Sequence, residues 1–147
     1  MQSLLFGTAG IPISTKGDTI QGIKDVRKLG LECMELEFVR SINITKDKAP
    51  EINKVAKEND IILSTHAPYF INLNSNDKAK YYASINRILS SARIAWLCNS
   101  WSLCFHAGFY QDASKEKTYE KIRDALKSII EKLKSEDNKI WIRPELT

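Results

Sequence analysis

Apolar and polar positions follow two rhythms along this chain, and the rhythms take turns. SLLFGTA at 3–9 is a short apolar run ending in glycine, and the turn-forming stretch GIPISTKGD follows it. Asp18 then stands where a helix N-cap belongs, and Ile20, Ile23, Val26 and Leu29 recur at helical spacing through 18–29. Asp18 with Gln21 makes a capping-box pattern, and Gly30 supplies a left-handed stop. LECMELEF at 31–38 reads as a second strand. Pro50 fits the first turn of a second helix with Ile52, Val55 and Ala56 as its apolar stripe. IILSTHA at 61–67 is a third strand. A longer helix over about 77–97 carries Tyr82, Ile85, Leu89, Ala92 and Trp96 on one face. WSLCFHAG at 101–108 is a fourth strand. Ser114 caps a fourth helix with Tyr119, Ile122, Leu126, Ile129, Ile130 and Leu133 on its core side, and KIWIRPEL at 139–146 is a fifth strand.

Strict alternation of strand and helix implies βαβ crossovers and a parallel sheet. The expectation is a single α/β domain over 1–147, built from four βα units plus a fifth parallel strand. No linker or low-complexity tract divides it, and the units differ in length, so no sequence repeat underlies them.

Composition narrows the class. A chain of 147 residues with 43% apolar content has enough material for one buried core, which sets aside disordered and fibrous classes. Its net charge of +4 tolerates a polyanion without indicating one. No run approaches the ~18 apolar residues of a membrane span and no basic leader opens the chain, so a cytoplasmic protein without a membrane partner is expected. Cys33, Cys98 and Cys104 lack metal-type spacing and read as buried thiols, and the NIT at 43–45 reads as a chance glycosylation match.

The only two histidines sit in one repeated phrase, HAPYF at 66–70 and HAGFY at 106–110. Both fall at the C-terminal ends of strands, where ligand-binding groups gather in parallel βα folds. Period-two alternation places Ile62, Ser64 and His66 on one face, with Ser102, Cys104 and His106 beside them. Ile61, Leu63 and Thr65, with Trp101, Leu103 and Phe105, take the opposite face under the helices. The same register points Cys33, Glu35, Glu37, Trp141, Arg143 and Glu145 inward, with Glu145 level with the histidines. Two imidazoles and a carboxylate at adjoining strand ends suit zinc or a similar divalent ion, with positions left for water. The bland alternative is a pair of hydrogen-bonded wall histidines. Glu35 and Arg143 read as a buried ion pair before a catalytic unit, and Phe70 and Phe109 as core aromatics.

FGTAGIP, MELEFVR, HAPYFINLNS, FHAGFY and RPELT resemble, in order and spacing, the N-terminal half of the endonuclease IV family, particularly its archaeal branch. H-x-x-Y-x-I-N-L is the most specific of these. The resemblance implies a partial (β/α)8 TIM barrel of the xylose-isomerase-like type, and a trinuclear zinc enzyme of base-excision repair that cuts DNA on the 5′ side of abasic sites. It assigns His66, His106 and Glu145 as metal ligands, for Zn2+ or alternatively Mn2+ or another divalent ion. Glu145 is also catalytic, bridging two metals and helping to hold the attacking hydroxide. It places Tyr69 in the DNA pocket and Arg40 as a groove contact. Ala107 stands where proline is common, and Asn99-Ser100 replaces a small turn; both are tolerable departures. The chain ends two residues after Glu145, before the ligands of the second half of such a barrel.

Five strands do not close an eight-strand barrel, so the expectation is a site incomplete in isolation, with edges covered by a complementary half-barrel chain or by self-association. Two other functions stay open. One is a divalent-metal sugar isomerase or epimerase using Glu37 and Glu145 for proton transfer. The other is a non-catalytic half-barrel that serves as an assembly module.

Overall fold

The computed structural model describes residues 4–146; Ser3 of the first expected strand and Thr147 of the closing motif lie outside them. The order is β1 (Gly7–Ala9), α1 (Thr19–Lys28), β2 (Cys33–Glu37), α2 (Ala49–Glu58), β3 (Ile62–His66), α3 (Lys78–Leu97), β4 (Ser102–His106), α4 (Lys115–Ser135) and β5 (Trp141–Glu145). The strands form one parallel sheet in the order β1-β2-β3-β4-β5, so each lies beside its predecessor. This is the wall of a partial (β/α)8 barrel. No helix of the described residues is long and apolar enough to cross a membrane.

Local chemistry starts the helices where the sequence places the starts. Asp18 accepts from the amides of Ile20 and Gln21 at 3.1 and 3.2 Å, and Asp77 does the same for Ala79 and Lys80. The capping box is only half closed, because the Gln21 side chain donates to Asp25 at 2.9 Å rather than returning to the cap. Gly30 ends the first unit at φ 74°, as the left-handed stop requires.

Met34 and Leu36 of β2, Leu63 of β3, and Leu103 and Phe105 of β4 are buried under the helices. Fully burying one such side chain is worth roughly 1.5–3 kcal/mol. Cys33, Glu35, Glu37, Ser64, Cys104 and His106 occupy the alternate, half-buried positions. Trp101 departs from the expected outward set. It precedes β4, is 54% exposed, and lies near Trp141 with the Arg143 guanidinium 4.6 Å over its ring. Arg143 therefore makes a cation–π contact in place of the expected pairing with Glu35, which accepts from Ser64 Oγ at 3.1 Å.

Both long helices are rotated relative to their expected stripes. The buried face of α3 is Ser84, Ile88, Leu89, Ser91, Ala92 and Ala95, while Tyr82 and Trp96 reach solvent. Small residues let this helix sit close to the sheet. In α4 the buried line is Thr118, Ala125, Ile129 and Leu133. Ile122 and Leu126 pack half-buried against that core, as expected, and with the exposed Tyr119 and Ile130 they also line a groove of about 520 Å3 with Pro144 and Leu146. Phe70 and Phe109 are 61% and 55% exposed, so neither is a core aromatic; both sit in turns that lie above the sheet.

Two outcomes follow. Ile88→Ala should lower unfolding stability by about 2–5 kcal/mol, whereas Tyr82→Ala should stay within roughly 0.5 kcal/mol, read from urea midpoints. Arg93 donates to both carboxylate oxygens of Glu136 at 2.8 and 2.7 Å, and this contact first, then Lys132, lowers the Glu136 carboxyl from 4.5 to about 2. A lowered folded value stabilises above the ordinary carboxylate range and is lost as pH falls towards 2. Arg93→Ala should therefore flatten the acid limb of a pH–stability curve between those two values.

Candidate metal centre

His66 ends β3, His106 ends β4 and Glu145 ends β5. Glu145 is level with His106, as expected, but His66 pairs in register with Cys104 and so sits one side-chain layer lower. The Ala67 amide continues that offset pairing by donating to the Cys104 carbonyl at 2.9 Å. The glutamate side chain bridges the step. Its Oε2 lies 3.7 Å from His66 Nε2, and ligand atoms from all three residues lie within 4.8 Å of one another. The two imidazole centroids are 5.3 Å apart.

The hydrogen-bonding pattern shows what this cluster wants. His66 Nδ1 is 2.8 Å from the Ala67 carbonyl, which only accepts, so Nδ1 carries a proton and the neutral tautomer this selects has its lone pair at Nε2. That lone pair faces a carboxylate oxygen. Two electron-rich atoms at this separation call for a cation between them. His106 Nδ1 is buried without a hydrogen-bond partner, so the second ring is also under-satisfied by the protein. Two nitrogens and one oxygen fit zinc or a similar divalent ion.

Tyr69 is brought to the same place. Its ring centroid is 5.6 Å from His66 and 6.0 Å from His106, and half of the residue remains exposed. Arg40 is not. It lies on the same rim, in the turn after β2, but lines a separate pocket with Pro68 and Arg87.

Glu37 and Cys104 face the site as the strand alternation expects, whereas Asn72 and Asn74 carry no signal of their role in the sequence. Glu37 is level with His66 across the sheet, and burial, then the neighbouring Glu35, raises its carboxyl above the usual range. Cys104 donates its S–H towards Glu145 at 3.6 Å, and burial with that carboxylate pushes the thiol up to about 11. Asn72 and Asn74 tie the two histidine-bearing turns together. Asn74 is 3% exposed and donates to the carbonyls of Phe109 and Tyr110 at 2.7 and 3.1 Å. Asn72 Oδ1 accepts from the amides of Asn74 and Phe109 at 3.0 and 3.4 Å. At Gly108 a Cβ would come within 2.7 Å of that same oxygen, so the second phrase needs glycine where the first has proline.

Residues 23–147 match the family model described as xylose isomerase-like TIM barrel. The chain belongs to that family. It is 41% identical over 144 residues to the uncharacterized protein MJ0133 of Methanocaldococcus jannaschii, covering 98% of this chain and 51% of that protein. Among solved structures, a D-psicose 3-epimerase determined in the presence of D-fructose superposes with a TM-score of 0.69 at 21% identity, over 86% of this chain and 46% of the other. Endonuclease IV from Thermus thermophilus gives 0.59 at 15% identity, over 76% and 42%. At such identities these two structures establish the fold. The chain spans about half the length of the relatives it matches.

Removing the Asn74 amide would strip the Phe109 carbonyl of its donor, while the Tyr110 carbonyl keeps the Ala113 amide at 3.0 Å. Asn74→Ala should cost about 1–3 kcal/mol and, by loosening the turn after His106, weaken metal binding as well. A variant that unfolds earlier but binds zinc with undiminished affinity would show that the staple does not position the cluster.

Proposed function

We propose that this chain supplies the first half of a divalent-metal phosphodiesterase site of the endonuclease IV type, acting on DNA 5′ to abasic positions. The carrying observation is the convergence of His66, His106 and Glu145 within 4.8 Å, with the Tyr69 ring against both imidazoles. His66 and His106 are neutral donors and Glu145 contributes one negative charge. A dication held by these three keeps a net positive charge of about one, which favours an anionic phosphate. Zinc bound there would lower the pKa of a coordinated water towards ~7 and neutralise charge growing on phosphate oxygens.

The protein's own groups do the positioning. Glu145, half exposed at the end of β5, is the carboxylate that would help hold an attacking hydroxide. Tyr69 offers an exposed aromatic face beside the metal ligands, suited to the sugar or base flanking a lesion. Arg40 is the basic contact on the adjoining turn. The substrate on this reading is abasic-site DNA, and the remaining ligands come from the rest of the barrel, carried by a complementary chain or by self-association.

A second reading has one specific observation in its favour. The raised Glu37 carboxyl, level with His66, is suited to proton transfer beside a carbonyl, as a sugar epimerase needs.

The chain prepared without chelator should bind about one zinc, measured by elemental analysis. His106→Ala should weaken that binding by at least roughly 10-fold. Duplex containing an abasic site should bind, with little cleavage until the other half of the barrel is supplied. Ketose epimerisation without any DNA affinity would move the assignment to the second reading, and a chain that takes up no metal would remove both.

A further inference from the structure

Away from the histidine cluster, a pocket of about 280 Å3 gathers Arg40 and Ser41 from the turn after β2, Pro68 from the turn after β3, and Asn86, Arg87 and Ser90 from α3. Its lining contains two arginines, an amide and two hydroxyls, and no Asp or Glu. Neither arginine forms an ion pair among the described residues. Arg87 Nη1 donates to the Phe70 carbonyl at 3.0 Å, which fixes one edge of the guanidinium and leaves other N–H groups for a ligand. A planar donor fork held in place loses little entropy on binding an oxyanion.

We propose that this pocket is a second phosphate subsite, and that its phosphate belongs to the DNA backbone a few nucleotides from the bond at the metal cluster. The DNA source rests on the function proposed above; the anion site does not. Pro68 lines the pocket and lies two residues after His66, a backbone span of about 7 Å. A phosphodiester strand carries one charge per nucleotide, about every 3.4 Å of helix axis, so a strand bound at the cluster presents further phosphates to the adjoining rim. Tyr69 and Phe70, both more than half exposed, stand along the chain between the cluster and Arg87's anchoring carbonyl, where unstacked bases would lie.

The test is the salt dependence of binding to a fluorescent duplex carrying an abasic analogue, followed by anisotropy for the wild-type chain, Arg87→Ala and Asn86→Asp. The second variant keeps the Arg87–Phe70 contact and adds a carboxylate to the pocket, so it answers the question if Arg87→Ala misfolds. Each variant should reduce the slope of log affinity against log salt by about 1, with lesion preference and zinc content unchanged. Wild-type slopes in both variants would overturn the subsite. If the wild-type chain binds no duplex, the DNA reading fails, and titration with inorganic phosphate and ribose 5-phosphate, followed by NMR shifts at the Arg87 side chain, decides the pocket. Shifts lost in the variants would keep a phosphate site and replace DNA with a sugar phosphate; no shifts would overturn it.

Discussion

His66 Nε2 and a carboxylate oxygen of Glu145 face each other at 3.7 Å, from strand ends that the parallel sheet sets side by side. Each atom belongs to the last residue of a hydrogen-bonded strand, so the ladder between β3, β4 and β5 fixes the two backbones from which the side chains converge. The protein thus keeps electron-rich groups together that would separate in a flexible loop. Buried polar groups without partners are costly, and His106 Nδ1 adds another. A cation relieves all three demands at once, which is why the physical case for a metal is stronger than the count of ligating residues alone.

The rim above the sheet is built to preserve that arrangement. Asn72 and Asn74 bind the turn after β3 to the turn after β4, and the backbone contact from Leu73 N to Ala107 O at 2.9 Å runs between them. Ser84 connects the same turn to α3, accepting from the Asn72 amide and donating to the Lys80 carbonyl. Lys121 of α4 closes the ring by donating to the carbonyls of Asn74 and Ser75. Most of these connections end on backbone groups of the turns. The turns are therefore rigid where they carry histidine, while Phe70 and Phe109, which lie just beyond, are turned out to solvent.

The strands and their facing were legible because period two leaves no ambiguity: once Leu63 is buried, His66 must share the other face with Ser64. The helix faces were harder. Of the expected stripe through Tyr82, Ile85, Leu89, Ala92 and Trp96, Leu89 and Ala92 are buried while the two aromatics are not, and Ser84, Ile88, Ser91 and Ala95 complete the buried face; tyrosine and tryptophan tolerate half exposure. What decided the outcome was close approach to the sheet, which favours small residues and has no signature in hydrophobicity. The partner of Arg143 was likewise set by a neighbour outside any strand, Trp101. Asn72 and Asn74 stood inside the most specific motif, yet nothing in a single sequence says that an asparagine holds another turn's carbonyls.

The charge of the cluster separates the two chemistries that this family's fold can host. A ligand set of two imidazoles and one carboxylate leaves a bound dication with surplus positive charge, whereas each added carboxylate cancels it and suits a neutral sugar better. Glu37 is the swing residue, since it lies level with His66 and its carboxyl is pushed towards the neutral form by burial and by Glu35. While protonated, it leaves the surplus positive charge of that ligand set unchanged. Were a cation to draw Glu37 into its ionised form as a fourth ligand, the surplus would vanish and the balance would tip towards carbonyl chemistry. The environment of one carboxyl on β2, set by two neighbouring strands, thus bears on substrate class as directly as the ligands themselves.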